Sequence, residues 1–167
     1  MNERAPSGDA ARAEVFVAVP PDVAFEIFTA EIDRWWGTGP RYRMQGRGRG
    51  LLCFEPGVNG RLFETYDDGK ASRVQEIGRV TVWEPGARLE FEWRNSNFTP
   101  DQRTIVDVRF AAEREGTRVT VHHHGWSTLP AGHPARHGIE GAAFSRRIGM
   151  WWGQLFSMLR EHVLSTR

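Results

Sequence analysis

From Glu14 the chain alternates. Val15, Val17 and Val19 fall on one side, with Glu14, Phe16 and Ala18 on the other. That is the period of a strand with one mostly apolar face. Residues 1–12 are polar, contain Gly and Pro, and read as a loose N-terminal tail ahead of a single domain over 13–164. Pro20-Pro21-Asp22 stops the strand and opens a helix, where the Asp22 carboxylate suits the helix dipole. Val23, Ile27, Phe28 and Ile32 recur at helical spacing. A second short helix over 33–36 ends at Gly37 and Gly39-Pro40.

Short strand-like runs follow, punctuated by turn residues. Residues 51–55 end at Pro56-Gly57, and 61–66 end at Asp67-Asp68-Gly69, a hairpin signal. Residues 72–83 carry a bulge candidate at Gly78 and stop at Glu84-Pro85-Gly86. In 88–94, Leu89, Phe91 and Trp93 share one face while Arg88, Glu90, Glu92 and Arg94 share the other. Such alternation predicts an antiparallel sheet with one wet face. Residues 104–110 turn Val106, Val108 and Phe110 inward, and 117–124 place Val119, Val121 and His123 on one face.

After a loop rich in Gly, Pro and His, residues 139–164 read as a long helix. Phe144, Ile148, Trp152, Phe156, Leu159 and Val163 are spaced by four or three and form its apolar seam. The order is one strand, two short helices, six strands and a long helix. Six antiparallel strands with one apolar face need a cover, and the last helix is the only long element left to supply it. The pattern predicts an α+β fold: a curved antiparallel sheet wrapped around a long C-terminal helix, with a cavity between them.

Composition narrows the partners. With 22 Lys+Arg against 21 Asp+Glu, the net charge is +1, which gives no overall drive toward nucleic acid or anionic membrane. No run approaches the ~18 apolar residues of a membrane span. The N-terminus lacks the apolar core of a secretory signal, so the expected compartment is the cytoplasm. A single cysteine, Cys53, excludes an intrachain disulfide and a cysteine-based zinc cluster. Seven Trp and ten Phe are the unusual numbers; large rings fill a core or line a cavity.

The segments GRLFE at 60–64, GRVTVWEP at 78–85, RLEFEW at 88–93 and VTVHHHGW at 119–126, with the terminal seam, carry a resemblance. In this order they resemble the START-like (SRPBCC) helix-grip superfamily. Within it they are most similar to the bacterial domains related to the Hsp90 ATPase activator homologue. The likeness spans about 13–164. The sequence departs from the pattern at Asn59, where a second Gly is usual, and carries Val121 at a Leu position, with His123 at the family-like His. The superfamily includes lipid carriers, hormone receptors, polyketide aromatase/cyclase proteins and chaperone cofactors. The resemblance therefore implies a hydrophobic cavity and leaves function open.

His122-His123-His124 invites a metal reading. Alternation, however, sends His122 and His124 to one face and His123 to the other, and no third ligand is evident; no metal is expected. His123, facing inward, can anchor a ligand polar group or act as acid or base. Glu64 shares a face with Leu62 and Tyr66, and the period leaves open whether that face is inward. If it is, Glu64 and His123 form an acid–imidazole pair. Of Trp35 and Trp36, one ring is expected in the core and the other at the cavity mouth. The arginine-rich GRGRG at 46–50, with Arg41 and Arg43, reads as a cationic loop near that mouth.

The leading expectation is binding of a small hydrophobic, lipid-like or aromatic, molecule without a cofactor. The expected lining is Trp36, Glu64, Phe91, Trp93, His123, Phe144, Ile148 and Trp152, in a monomer or homodimer with no nucleic-acid or stable membrane partner. The alternatives are a cyclase/dehydratase or hydrolase working through His123 and Glu64, and an Hsp90-type ATPase co-regulator.

Overall fold

The computed structural model describes residues 9–44, 50–95, 97–130, 132–139 and 141–167. The chain forms β1 (Ala11–Val17), α1 (Pro21–Ala30), α2 (Ile32–Trp35), β2 (Leu52–Phe54), β3 (Arg61–Asp67) and β4 (Ser72–Glu84). It continues through β5 (Arg88–Trp93), β6 (Thr104–Glu113), β7 (Gly116–His124) and two 3-10 turns, Trp126–Thr128 and Pro134–Arg136, to α3 (Gly141–Thr166). The seven strands make one antiparallel sheet in the order β1-β7-β6-β5-β4-β3-β2.

β1 begins inside the stretch expected to be a tail. Ala11 and Arg12 pair with His123 and His122 of β7, and backbone hydrogen bonds outweigh the polar composition of the segment. Residues 1–8 of that stretch, and 46–49 of the arginine-rich loop, lie outside the described residues.

The alternation in β5 translates directly into two faces. Leu89, Phe91 and Trp93 are buried. On the outer face Arg88 pairs with Glu90 and Asp107, and Arg103 pairs with Glu92. β4 bends the sheet: its register slips opposite Leu62/Phe63 and again between Val80 and Val82. Gly78 sits at the first slip because a Cβ there would collide with the Glu92 carbonyl.

α3 lies against β1 and α2. Its seam is buried at Phe144, Trp152, Phe156, Leu159 and Val163, joined by Leu155; Ile148 is half-buried. The far end of α3 is tied down by Glu31, which meets His162 Nε2 at 2.9 Å and Arg167 at 3.2 Å. α1 and α2 bury Phe25, Ile27, Phe28, Ile32 and Trp35 in the same core. No helix among the described residues is long and apolar enough to cross a membrane.

Candidate functional site

His123 lies on the buried face of β7 with Val119 and Val121, as alternation predicts. Both ring nitrogens are engaged. The Trp152 indole can only donate, so its Nε1–H fixes His123 Nδ1, 3.0 Å away, as an acceptor. The proton of the neutral ring is then on Nε2, which donates to Thr104 Oγ1 at 2.7 Å. Thr104 in turn donates to the Trp93 carbonyl at 2.8 Å. Complete burial, helped by the neighbouring His124 and His122, pushes the His123 pKa down to about 3. His123 is a neutral strut between α3 and β5–β7. His122 and His124 stack on the opposite face, ring centroids 5.1 Å apart.

The rings expected to line a cavity pack on one another. Trp36 is buried, stacked on Trp93 at 5.8 Å and edge-on to Trp152 at 5.5 Å. Phe91 and Phe144 are fully buried. Phe91 meets Phe54 and Phe144 meets Trp126. Such pairs add about 0.5–1.5 kcal/mol each beyond burial. Trp35 and Trp36 are both buried. Neither caps a mouth as expected, because their indoles are held by the Phe28 and Tyr42 carbonyls.

Glu64 points inward with Leu62, so that face of β3 is the buried one. Both of its oxygens accept from the Met44 backbone N–H, at 2.9 and 3.1 Å. It makes no contact with His123, whose two nitrogens are already occupied, and β4, β5 and β6 lie between their strands. The acid–imidazole pair is not formed. Asp33 organises the same corner: it receives the Leu52 N–H and the Arg43 guanidinium, both at 2.8 Å.

A cleft of about 990 Å³ opens between the first half of α3, the 126–139 segment and the chain at Pro40-Arg41. Trp126, Ile139, Ile148, Met150 and Trp151 supply its apolar surface, and Asn95, His137 and three arginines its polar surface. Gly125, with φ of 89°, turns the chain out of β7 and delivers Trp126 to the wall. Tyr42 stacks beside Trp151, whose indole donates to the Arg41 carbonyl at 2.9 Å. Of the lining expected from the sequence, His123 and Ile148 reach this cleft. Trp36, Glu64, Phe91, Trp93, Phe144 and Trp152 do not stand on its wall; the core seam and the wall are adjacent stripes of α3, not the same stripe. Trp126, Trp151, Arg146 and Arg147 are not among the residues the sequence pattern singles out, whereas Arg41, expected in a cationic loop near the mouth, lines the cleft. The spacing 143, 147, 151 on α3 was the available signal for the second stripe. No group of three or more His, Cys, Asp or Glu among the described residues could hold a metal ion.

A curved seven-stranded antiparallel sheet closed by one terminal helix, with two short helices after its first strand, defines a helix-grip protein. Residues 18–161 match the family described as Activator of Hsp90 ATPase homolog 1-like protein, and the chain belongs to that family. No curated protein matches it in sequence. Among solved structures it is similar to a protein from Rhodobacter sphaeroides, at 16% identity and a TM-score of 0.63, covering 97% of each chain. An Hsp90 activator from Plasmodium falciparum aligns at 19% identity and a TM-score of 0.60, over 94% of this chain and 96% of that one. DynU16, a protein of the dynemicin biosynthetic locus, aligns at 20% identity and a TM-score of 0.58, over 95% of this chain and 48% of that one.

Proposed function

We propose that this protein binds a small, mainly hydrophobic molecule in the cleft between α3 and the 126–139 segment, and that it works as a carrier or receptor. The carrying observation is the cleft itself: about 990 Å³ with Trp126, Ile139, Ile148 and Trp151 on its wall. That is the upper end of the roughly 300–1,000 Å³ of small-molecule pockets. DynU16, from a biosynthetic locus, shares the fold, which fits a small-molecule role.

Catalysis by the His123–Glu64 pair is disfavoured by the same geometry. A general base needs a free nitrogen within reach of its proton, and both His123 nitrogens are committed to Trp152 and Thr104. The chaperone reading has one specific support, membership of the activator-related family. It predicts stimulation of an Hsp90 ATPase that survives blocking of the cleft.

The test uses N-phenyl-1-naphthylamine, a neutral aromatic probe, titrated into the native protein. Saturable enhancement of its emission is expected. Ala143→Trp, at an exposed position on the cleft wall, should abolish it while the folded circular dichroism spectrum is retained. Absence of saturable binding to the wild-type protein would remove the small-molecule reading.

A further inference from the structure

We infer, resting on that reading of the cleft, that its ligand carries an anionic group, a carboxylate, sulfonate or phosphate, taken up at the rim by Arg41, Arg146 and Arg147. All three side chains are exposed and line the cleft. None forms an ion pair with a described residue. On the outer sheet face Arg88, Arg103, Arg109 and Arg118 each meet a carboxylate, on Asp107, Glu92, Asp107 and Glu113 respectively, and Arg12 is the exposed exception.

Arg146 and Arg147 stand in the second turn of α3, whose first turn holds no acidic residue. No carboxylate stands among the described residues of the cleft wall. A bound anion at the rim gains charge-assisted hydrogen bonds from the forked guanidinium donors.

The buried histidine of the cleft wall adds no charge. His123 is neutral, with its pKa near 3 and both nitrogens bonded. The Trp126 Nε1–H, on a wall residue, is buried without an acceptor among the described residues. The arrangement reads as an aromatic or aliphatic body held along Trp126, Ile148 and Trp151, with its acid group at the arginine rim.

The experiment compares two probes with one aromatic body. 8-Anilinonaphthalene-1-sulfonate is N-phenyl-1-naphthylamine with a sulfonate added. At low salt the sulfonate should bind about tenfold more tightly than the neutral probe, the scale of one charge-assisted contact. The double variant Arg146→Gln/Arg147→Gln should erase that preference, bringing the ratio of the two affinities, measured on the same variant, to about one. Arg160→Gln, on an exposed part of α3 away from the cleft, should change neither.

Equal affinities for the two probes, or a preference that survives the double variant, would overturn the anion inference while the cleft reading stands. So would an equal loss with Arg160→Gln, which would mean unspecific pairing on the surface. If neither probe binds, both fall together. Displacement of the bound sulfonate by monomeric dodecanoate identifies a free acid as the source of the anion. Displacement only by phosphatidylglycerol vesicles identifies a lipid headgroup.

Discussion

His123 shows how a residue that looks catalytic becomes structural. Its ring is inward and titratable, yet Trp152 donates to one nitrogen and Thr104 receives from the other. Replacing it by Phe leaves the Trp152 indole N–H without its acceptor, and urea denaturation should show a loss of roughly 1–3 kcal/mol. The pH dependence follows from the depressed pKa. An unfolded His titrates near 6.5 and the folded ring near 3. Between those values the unfolded chain binds the extra proton, so this stability is fully present above pH 6.5 and falls as pH falls toward 3. The slope is about 1.4 kcal/mol per pH unit for one proton. His122, lowered by burial and by His124, adds a contribution of the same sign in both proteins. The difference in slope between wild type and His123→Phe over pH 6.5–4.5 therefore isolates His123. Equal slopes would contradict its neutral, buried state.

Among the elements, α3 does two jobs on adjacent stripes. Its seam was legible from the sequence because 3- and 4-residue spacing of large apolar residues has one physical outcome, burial against the sheet. Phe156→Ala should therefore cost roughly 3–5 kcal/mol in chemical denaturation. The strands were legible for the same reason, including the inward face of β7 and the irregularity at Gly78. The cleft was not. Its wall residues Arg146, Arg147, Met150 and Trp151 lie beside the seam, and what separates a solvated flank from a cleft wall is the chain opposite. That chain is the irregular 126–139 segment, whose path depends on tertiary contacts and not on period. Gly125 is the exception, since a glycine just after a strand marks a turn. Its φ of 89° and the Arg103 carbonyl 3.3 Å from a notional Cβ predict that Gly125→Ala loses about 1–2 kcal/mol. Weakened probe binding should accompany that loss, because Trp126 is misplaced.

The molecule as a whole separates a rigid core from an open side. Tryptophans 36, 93 and 152 with His123 fix α3 to the sheet, so the cleft has one fixed wall, while the sides at 126–130, 132–139 and Pro40-Arg41 lack strand or long helix. Apolar rings serve a core or a cavity wall equally well in a sequence pattern; in the structure the rings of this cluster pack on one another. A ligand that binds only the folded state stabilises it by mass action. N-phenyl-1-naphthylamine at about ten times its dissociation constant should add about 1.4 kcal/mol to the unfolding free energy, and Ala143→Trp should show no such gain. The cluster also makes the protein its own optical sensor. Trp151 stands on the cleft wall and lies 5.8 Å from both Trp36 and Trp93 and 5.3 Å from Trp152. At such separations excitation hops among indoles before emission. A molecule that drains energy at Trp151 thus darkens its buried neighbours as well, and the intrinsic emission lost on binding exceeds one indole's share.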